Sequence, residues 1–106
     1  MSWGIDIDLD NGEFVEIVDG HTYNLSPMWR LAGVYEGSSS DLGGLRADIL
    51  ADRAARGLAR AVSRPELFKA LNPENGWGDY DGFIRILTRT AILCAENRSG
   101  VIRWNG

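Results

Sequence analysis

Residues 3–18 read WGIDIDLDNGEFVEIV, and this stretch decides the fold because apolar and polar residues alternate along it. The odd-numbered positions from Trp3 to Leu9 are apolar and the even-numbered ones are Gly or Asp, which predicts a half-buried strand. The Asn11-Gly12 pair that follows favours a tight turn, and the β-branched residues after it predict a second strand. The chain is therefore expected to begin with a β-hairpin.

Two further segments are predicted to join this sheet. The Asp19-Gly20 pair indicates another turn, after which HTYNL, at 21–25, predicts a short third strand that completes a small meander. The tail GVIRWN, at 100–105, predicts a last strand whose natural place is beside the N-terminal strands.

Helices are predicted for most of the chain in between. Ser26-Pro27 is typical of a helix start, because Ser caps free N–H groups and Pro has no N–H to lose, and this helix is expected to end at Gly37. The segment GSSSDLGG, at 37–44, predicts a flexible connector without packing side chains. Further helices are predicted over 45–62, 65–72 and 83–96.

The length and the apolar content fit one domain. A chain of 106 residues that is 44% hydrophobic can bury one modest core but not two. The sequence therefore predicts a single α+β domain, 1–106, in which an N-terminal antiparallel β-meander and a C-terminal strand form one sheet packed against three to four helices.

Charge and residue types exclude several classes of function. The net charge is −4 and no Lys or Arg precedes Arg30, which disfavours a nucleic-acid partner. No segment is apolar for long enough to cross a bilayer, so a cytoplasmic protein without a membrane partner is expected. One His and one Cys cannot make a zinc set, and neither a metal nor a cofactor is predicted. His21 is expected at a turn or on the surface rather than as a catalytic base, and Cys94 in the core.

Two groups of charged residues can be interpreted either as solvent-exposed surface or as functional sites. Asp6, Asp8 and Asp10 lack the spacing of a calcium loop and are expected on the solvent face of an edge strand, where acidic side chains oppose aggregation. Five arginines form a stripe on the helix predicted over 45–62 and just after it: Arg46, Arg53, Arg56, Arg60 and Arg64. The stripe is either a solvated face or a contact for an anionic partner, such as a phosphate-bearing ligand, an acidic protein or the acidic sheet of a second copy.

The loop NPENGWGDYDG, at 72–82, is the first half of a candidate binding site. Trp77 lies between Gly76 and Gly78, and an aromatic side chain flanked by glycines can lie against a planar ring. The alternative is that Trp77 and Tyr80 pack back onto the core while Asp81 caps the final helix. Both interpretations stay open on the sequence alone.

The segment YNLSPMW, at 23–29, has a similar aromatic and amide character and ends in a predicted helix N-terminus, which favours an anion. If the two segments converge, they would enclose a polar, planar, nucleotide-like ligand. The candidate ligand-binding residues are Tyr23, Asn24, Ser26, Met28, Asn72, Glu74, Asn75, Trp77 and Tyr80.

These two motifs, with the strand before them, resemble a family of small proteins encoded by bacteriophages, especially those of actinobacteria. The likeness spans most of the chain, but the arginine stripe is not part of the pattern. The positions that match are Tyr23, Asn24, Ser26, Pro27, Met28, the run 72–78, Tyr80 and Gly82. Some small phage proteins with a polar and aromatic pocket sequester the nucleotide signals of bacterial immune systems, and the resemblance implies this function in the cytoplasm of an infected host.

Three functions follow as hypotheses. The leading one is a binding protein, a homo-oligomer without enzymatic activity, that traps a nucleotide-derived ligand between 23–29 and 72–80. The second is a protein-interaction module that inhibits a host factor through the acidic sheet or the arginine stripe. The third is a hydrolase that uses Glu74, Asp79 or Asp81 as acid or base.

Overall fold

A three-stranded antiparallel sheet and four helices make up the computed structural model, which describes all residues, 1–106, and confirms the predicted α+β class. The strands are β1 (Ser2–Asp8), β2 (Phe14–Thr22) and β3 (Val101–Asn105), in the spatial order β2-β1-β3. The helices are α1 (Ser26–Leu31), α2 (Ala47–Ser63), α3 (Pro65–Lys69) and α4 (Tyr80–Glu96). Two 3₁₀ turns, Tyr23–Leu25 and Ser39–Leu42, complete the secondary structure.

The N-terminal strands form a hairpin rather than the predicted meander. β2 continues through Asp19 and Gly20, where a turn and a third strand were predicted, and the chain then enters the Tyr23–Leu25 turn. The register shifts twice along β2, so that this strand carries extra residues opposite β1. Gly20 has a φ of +69°, which suits a β-bulge as well as it suits a turn. A bulge therefore replaces the predicted turn.

The free edge of β2 is covered by one side chain of α4. Arg89 donates from Nε to the carbonyl of Ile17 at 2.7 Å and from Nη2 to the carbonyl of Glu16 at 3.0 Å. These two carbonyls lie at the second register shift, where the ladder to β1 is interrupted. The guanidinium thus pairs backbone groups that an edge strand would otherwise leave open.

Asp6 and Asp8 lie on the face of the sheet that points away from the core, but β1 is the central strand and not the predicted edge. β3 pairs with its other side, with Asp6 opposite Arg103. The Arg103 guanidinium contacts Asp6 at 2.9 Å and Asp8 at 3.0 Å. Asp6 is buried, and this ion pair satisfies its carboxylate. The acidic face therefore carries its own counter-charge.

Helix α1 ends six residues earlier than the predicted stop at Gly37. Gly33 has a φ of +81°, its N–H donates to the carbonyl of Arg30, and Val34 N–H donates to the carbonyl of Trp29. These two bonds are those of a Schellman motif, which satisfies the last carbonyls of a helix. Gly33, and not Gly37, is the residue that ends α1.

The serine segment packs on the core, contrary to the prediction of a connector without packing side chains. Asp41 accepts a hydrogen bond from the backbone N–H of Ser38 at 3.1 Å, and Leu42 is fully buried in the core. Trp104 Nε1 of β3 donates to Ser39 Oγ at 3.1 Å. The prediction was wrong because this anchoring partner is 65 residues away in the sequence.

The arginine stripe is partly structural. α2 packs against α4 and against the end of α1. Gly57 lets the backbone of Ala32 approach α2 closely, because a Cβ at position 57 would lie 3.0 Å from the Ala32 carbonyl oxygen. Arg60 then donates to the carbonyl of Leu31 at 3.0 Å, and Arg53 reaches that of Val34 at 3.5 Å. These two arginines thus hold the C-terminal end of α1 to α2.

His21 is a core residue and not the predicted turn or surface residue. It lies in an aromatic cluster, with its ring 5.1 Å from that of Trp3 and 5.6 Å from that of Trp29. Trp29 Nε1 donates to His21 Nε2 at 3.0 Å, so the imidazole accepts there and is neutral. Burial lowers the pKa of His21 from 6.5 to about 4.

Cys94 is buried, as predicted, and burial raises the pKa of its thiol to about 12. A thiol in this environment stays protonated and unreactive. None of the helices combines the length and the apolar composition that crossing a bilayer requires.

The neutral state of His21 predicts a pH-dependent stability. Since the folded pKa is about 4 and the unfolded value 6.5, the unfolded chain binds a proton that the folded one does not. The free energy of unfolding is expected to fall by about 3 kcal/mol as the pH drops from 6.5 towards 4, and to be restored above 6.5. Urea denaturation at a series of pH values measures this loss.

The matched control is His21→Gln, whose amide oxygen can still accept from Trp29 but does not titrate. This variant is expected to lose the slope between about pH 5 and 6.5, where carboxylates contribute little. An unchanged slope in the variant would show that His21 is not the titrating group.

Candidate functional site

The loop at 72–82 docks on the 3₁₀ turn that follows β2, so the two segments singled out in the sequence do meet. The contact point is Gly78, which has a φ of +97°. A Cβ there would lie 2.9 Å from Leu25 Cγ and 2.9 Å from Thr22 Cγ2. Only glycine allows both the backbone conformation and this close approach.

An open groove of about 590 Å³ lies between the docked segments. It is lined by the end of β2, the 3₁₀ turn, the start of β1 and the tip of the loop. Four of the nine predicted site residues border it, namely Tyr23, Asn24, Asn75 and Trp77, together with Met1, Ser2, Gly20 and Thr22. We call this space the first groove.

Trp77 presents an exposed aromatic surface to this groove. Its side chain is 69% exposed, and the interpretation that it packs onto the core is therefore wrong. Asn75 Oδ1 accepts from the Trp77 backbone N–H at 2.9 Å, which fixes the tip of the loop and leaves the Asn75 amide nitrogen without a partner. Asn24 is also exposed, and its side-chain amide makes no hydrogen bond within the chain. The groove thus offers one aromatic plane and two amides.

Tyr80 and Asn72 support the loop rather than line the first groove. The Tyr80 hydroxyl donates to the carbonyl of Ala61 at 2.8 Å, and its ring packs 6.5 Å from that of Phe68. Asn72 Oδ1 accepts from the Tyr80 backbone N–H at 2.9 Å. The alternative that both aromatics pack onto the core therefore holds for Tyr80 alone.

The remaining three predicted residues also lie outside the first groove. Met28 is fully buried in the core, Ser26 is half-buried in α1, and Glu74 is exposed on the loop. The cap of the final helix is Asp79 and not Asp81, because Asp79 Oδ1 accepts from Gly82 N–H at 2.8 Å.

The predicted anion site at the start of α1 is not supported by the geometry. α1 has six residues, Ser26 N–H already donates to the carbonyl of Tyr23, and Pro27 has no N–H. A short helix whose first N–H groups are used or missing has little positive end to offer.

A second groove, of about 360 Å³, adjoins the first and shares Gly20, Thr22 and Trp77 with it. Asp19, Asp79 and Arg85 supply its charged groups. Arg85 makes no hydrogen bond or ion pair within the chain. Sequence reasoning missed this arginine because it lies on α4, whose orientation against the loop is set by tertiary packing.

The close approach at Gly78 predicts a large effect of a single methyl group. Gly78→Ala is expected to lower the free energy of unfolding by about 1 to 3 kcal/mol more than Gly76→Ala, since only position 78 adds overlap with Leu25 and Thr22. Both glycines have positive φ, so both variants share the conformational cost. Urea denaturation compares the two, and equal losses would contradict the docking contact.

Comparison with protein-family models, with curated proteins and with solved structures found no match.

Proposed function

We propose that the protein binds a small, polar, planar ligand of the nucleotide class in the first groove, with the ring of the ligand against Trp77. The observation that supports this proposal is the exposure of Trp77 beside a groove with unpartnered amides. A base stacked on an aromatic side chain gains about 1 to 3 kcal/mol, and the gain tolerates different bases because each has a π face.

The amides give the site its directionality. Asn24 and Asn75 each carry donors, and Asn24 also carries an acceptor, that can pair with the edge of a heterocycle. Tyr23 and Thr22 also line the groove. A few directional polar groups around an apolar plane are typical of small-molecule sites.

The biological setting is part of the same proposal. The resemblance to phage proteins supports the sequestration of a nucleotide signal of host immunity, in the cytoplasm of an infected bacterium. A protein that sequesters its ligand needs tight binding and no turnover. Asp79 is engaged as a helix cap, which makes it a poor candidate for the acid or base of the hydrolase alternative.

The protein-interaction alternative has less support than the sequence suggested. Arg53 and Arg60 are engaged with backbone carbonyls of the α1 end. Arg46 pairs with Asp48, and Arg64 pairs with Glu66 on the surface. Arg56 alone keeps a guanidinium without an internal partner, so the stripe offers little uncompensated positive charge.

Replacing the aromatic plane tests the site directly. Trp77→Ala is expected to weaken binding of cyclic mono- and dinucleotides about tenfold or more, because the stacking surface is lost. Isothermal titration calorimetry of the purified protein against a panel of these nucleotides measures the change. A panel in which no member binds the unaltered protein would overturn the proposal.

Phe14→Ala is the matched control, since Phe14 is also an exposed aromatic but lies on the sheet face that carries Asp8. This variant is expected to bind like the unaltered protein. Equal losses in the two variants would indicate a general effect of removing a surface aromatic and not a site at Trp77.

We also propose that the protein forms a homo-oligomer. Large apolar side chains are exposed on the helices away from the grooves, namely Ile49, Val62, Leu67 and Ile92, and burial between copies would remove them from water. Light scattering is expected to give a mass that is a multiple of 11.7 kDa. A mass of one chain at micromolar concentration would contradict this part of the proposal and leave the binding site untouched.

A further inference from the structure

The second groove differs from the first in chemistry. The first is lined by uncharged side chains, whereas the second contains two carboxylates, of Asp19 and Asp79, and one guanidinium, of Arg85. Trp77 borders both grooves. One ligand that lies against Trp77 can therefore reach both grooves.

Each charged group in the second groove has capacity left for a ligand. Arg85 has no partner within the chain, although two aspartates line the same groove. Asp79 uses only Oδ1 in capping α4, and its Oδ2 is free. Asp19 makes no hydrogen bond or ion pair. A free guanidinium binds phosphate oxygens, and free carboxylates accept hydrogen bonds from hydroxyl groups.

The balance of charge limits the number of phosphates. Two carboxylates and one guanidinium leave the groove with one excess negative charge. A single phosphodiester, with one negative charge, can pair with Arg85, while its sugar hydroxyl pairs with a carboxylate. A triphosphate would place several negative charges beside Asp19 and Asp79, where like charges repel.

We infer that the second groove binds the ribose and one phosphodiester of a ribonucleotide whose base lies against Trp77, with Arg85 on the phosphate and Asp19 on a ribose hydroxyl. This inference rests on the proposed function and deepens it, because it names the charge and the sugar of the ligand. Arg85 becomes the residue that selects a singly charged phosphate, and Asp19 the residue that selects ribose over deoxyribose.

The experiment compares four groups of probes by calorimetry. They are the nucleosides of adenine, guanine, cytosine and uracil, their 3′,5′-cyclic monophosphates, the 2′-deoxy forms of those cyclic nucleotides and the 5′-triphosphates. For at least one base, the cyclic nucleotide is expected to bind about tenfold more tightly than its nucleoside, and more tightly than the triphosphate and the deoxy form.

Two variants assign the preferences to residues. Arg85→Gln is expected to remove the tenfold advantage of the cyclic nucleotide over its nucleoside, while nucleoside binding is kept. Asp19→Asn is expected to reduce the preference for ribose by a similar factor. Arg56→Gln and Asp10→Asn are the matched controls, since they change the same charges outside the grooves and are expected to keep both preferences.

The outcomes separate this inference from the proposed function. The inference would be overturned if nucleosides and cyclic nucleotides bind equally, or if triphosphates bind more tightly than cyclic nucleotides. It would also be overturned if the advantage of the cyclic nucleotide over its nucleoside survives in Arg85→Gln. In each of these cases, Trp77-dependent binding would still support the first groove as the site. Absence of binding by every probe would overturn the inference, and absence of binding by the cyclic dinucleotides as well would overturn the proposed function. Circular dichroism verifies that each variant is folded.

Discussion

The hydrogen bond from Trp29 to His21 is the interaction on which the position of the site depends. It joins the end of β2 to α1 inside the aromatic core at 3.0 Å, with Phe83 of α4 packed against the same indole at 5.4 Å. The turn that carries Tyr23 and Asn24 lies between these two anchored residues. Because the bond requires a neutral imidazole, the geometry of this turn is tied to the protonation state of a buried histidine.

Trp77 shows how the loop differs from the rest of the molecule. Trp3 and Trp29 are buried and Trp104 is partly buried, whereas Trp77 is 69% exposed. An exposed indole contributes little to the core, and yet two glycines with positive φ and the side chain of Asn75 hold its backbone in place. A loop that keeps a large aromatic surface in water is typical of recognition, since contacts that order the loop before binding lower the entropy cost of association.

Local pattern was sufficient to predict the α+β class, the first hairpin and the two long helices, because alternation and helical periodicity are properties of neighbouring residues. It could not separate a turn from a bulge at Gly20, since a glycine with positive φ serves both. The packing of the serine segment depends on Trp104, and the hydrogen bonds of Arg53 and Arg60 depend on the end of α1. These contacts join residues distant in sequence, which is why a pattern of local residues did not predict them.

The dependence on contacts between residues distant in sequence also explains why the first groove was predicted in part and the second was not. The first groove could be predicted in part, because Tyr23, Asn24, Asn75 and Trp77 lie in two recognisable motifs, and Gly78 supplies the close contact that brings the motifs together. The second groove could not, because Arg85 becomes its neighbour only through the packing of α4 against β2 and the cap at Asp79. A long helix therefore contributes to the second groove alone, whereas the first is built from strand ends, the 3₁₀ turn and the loop.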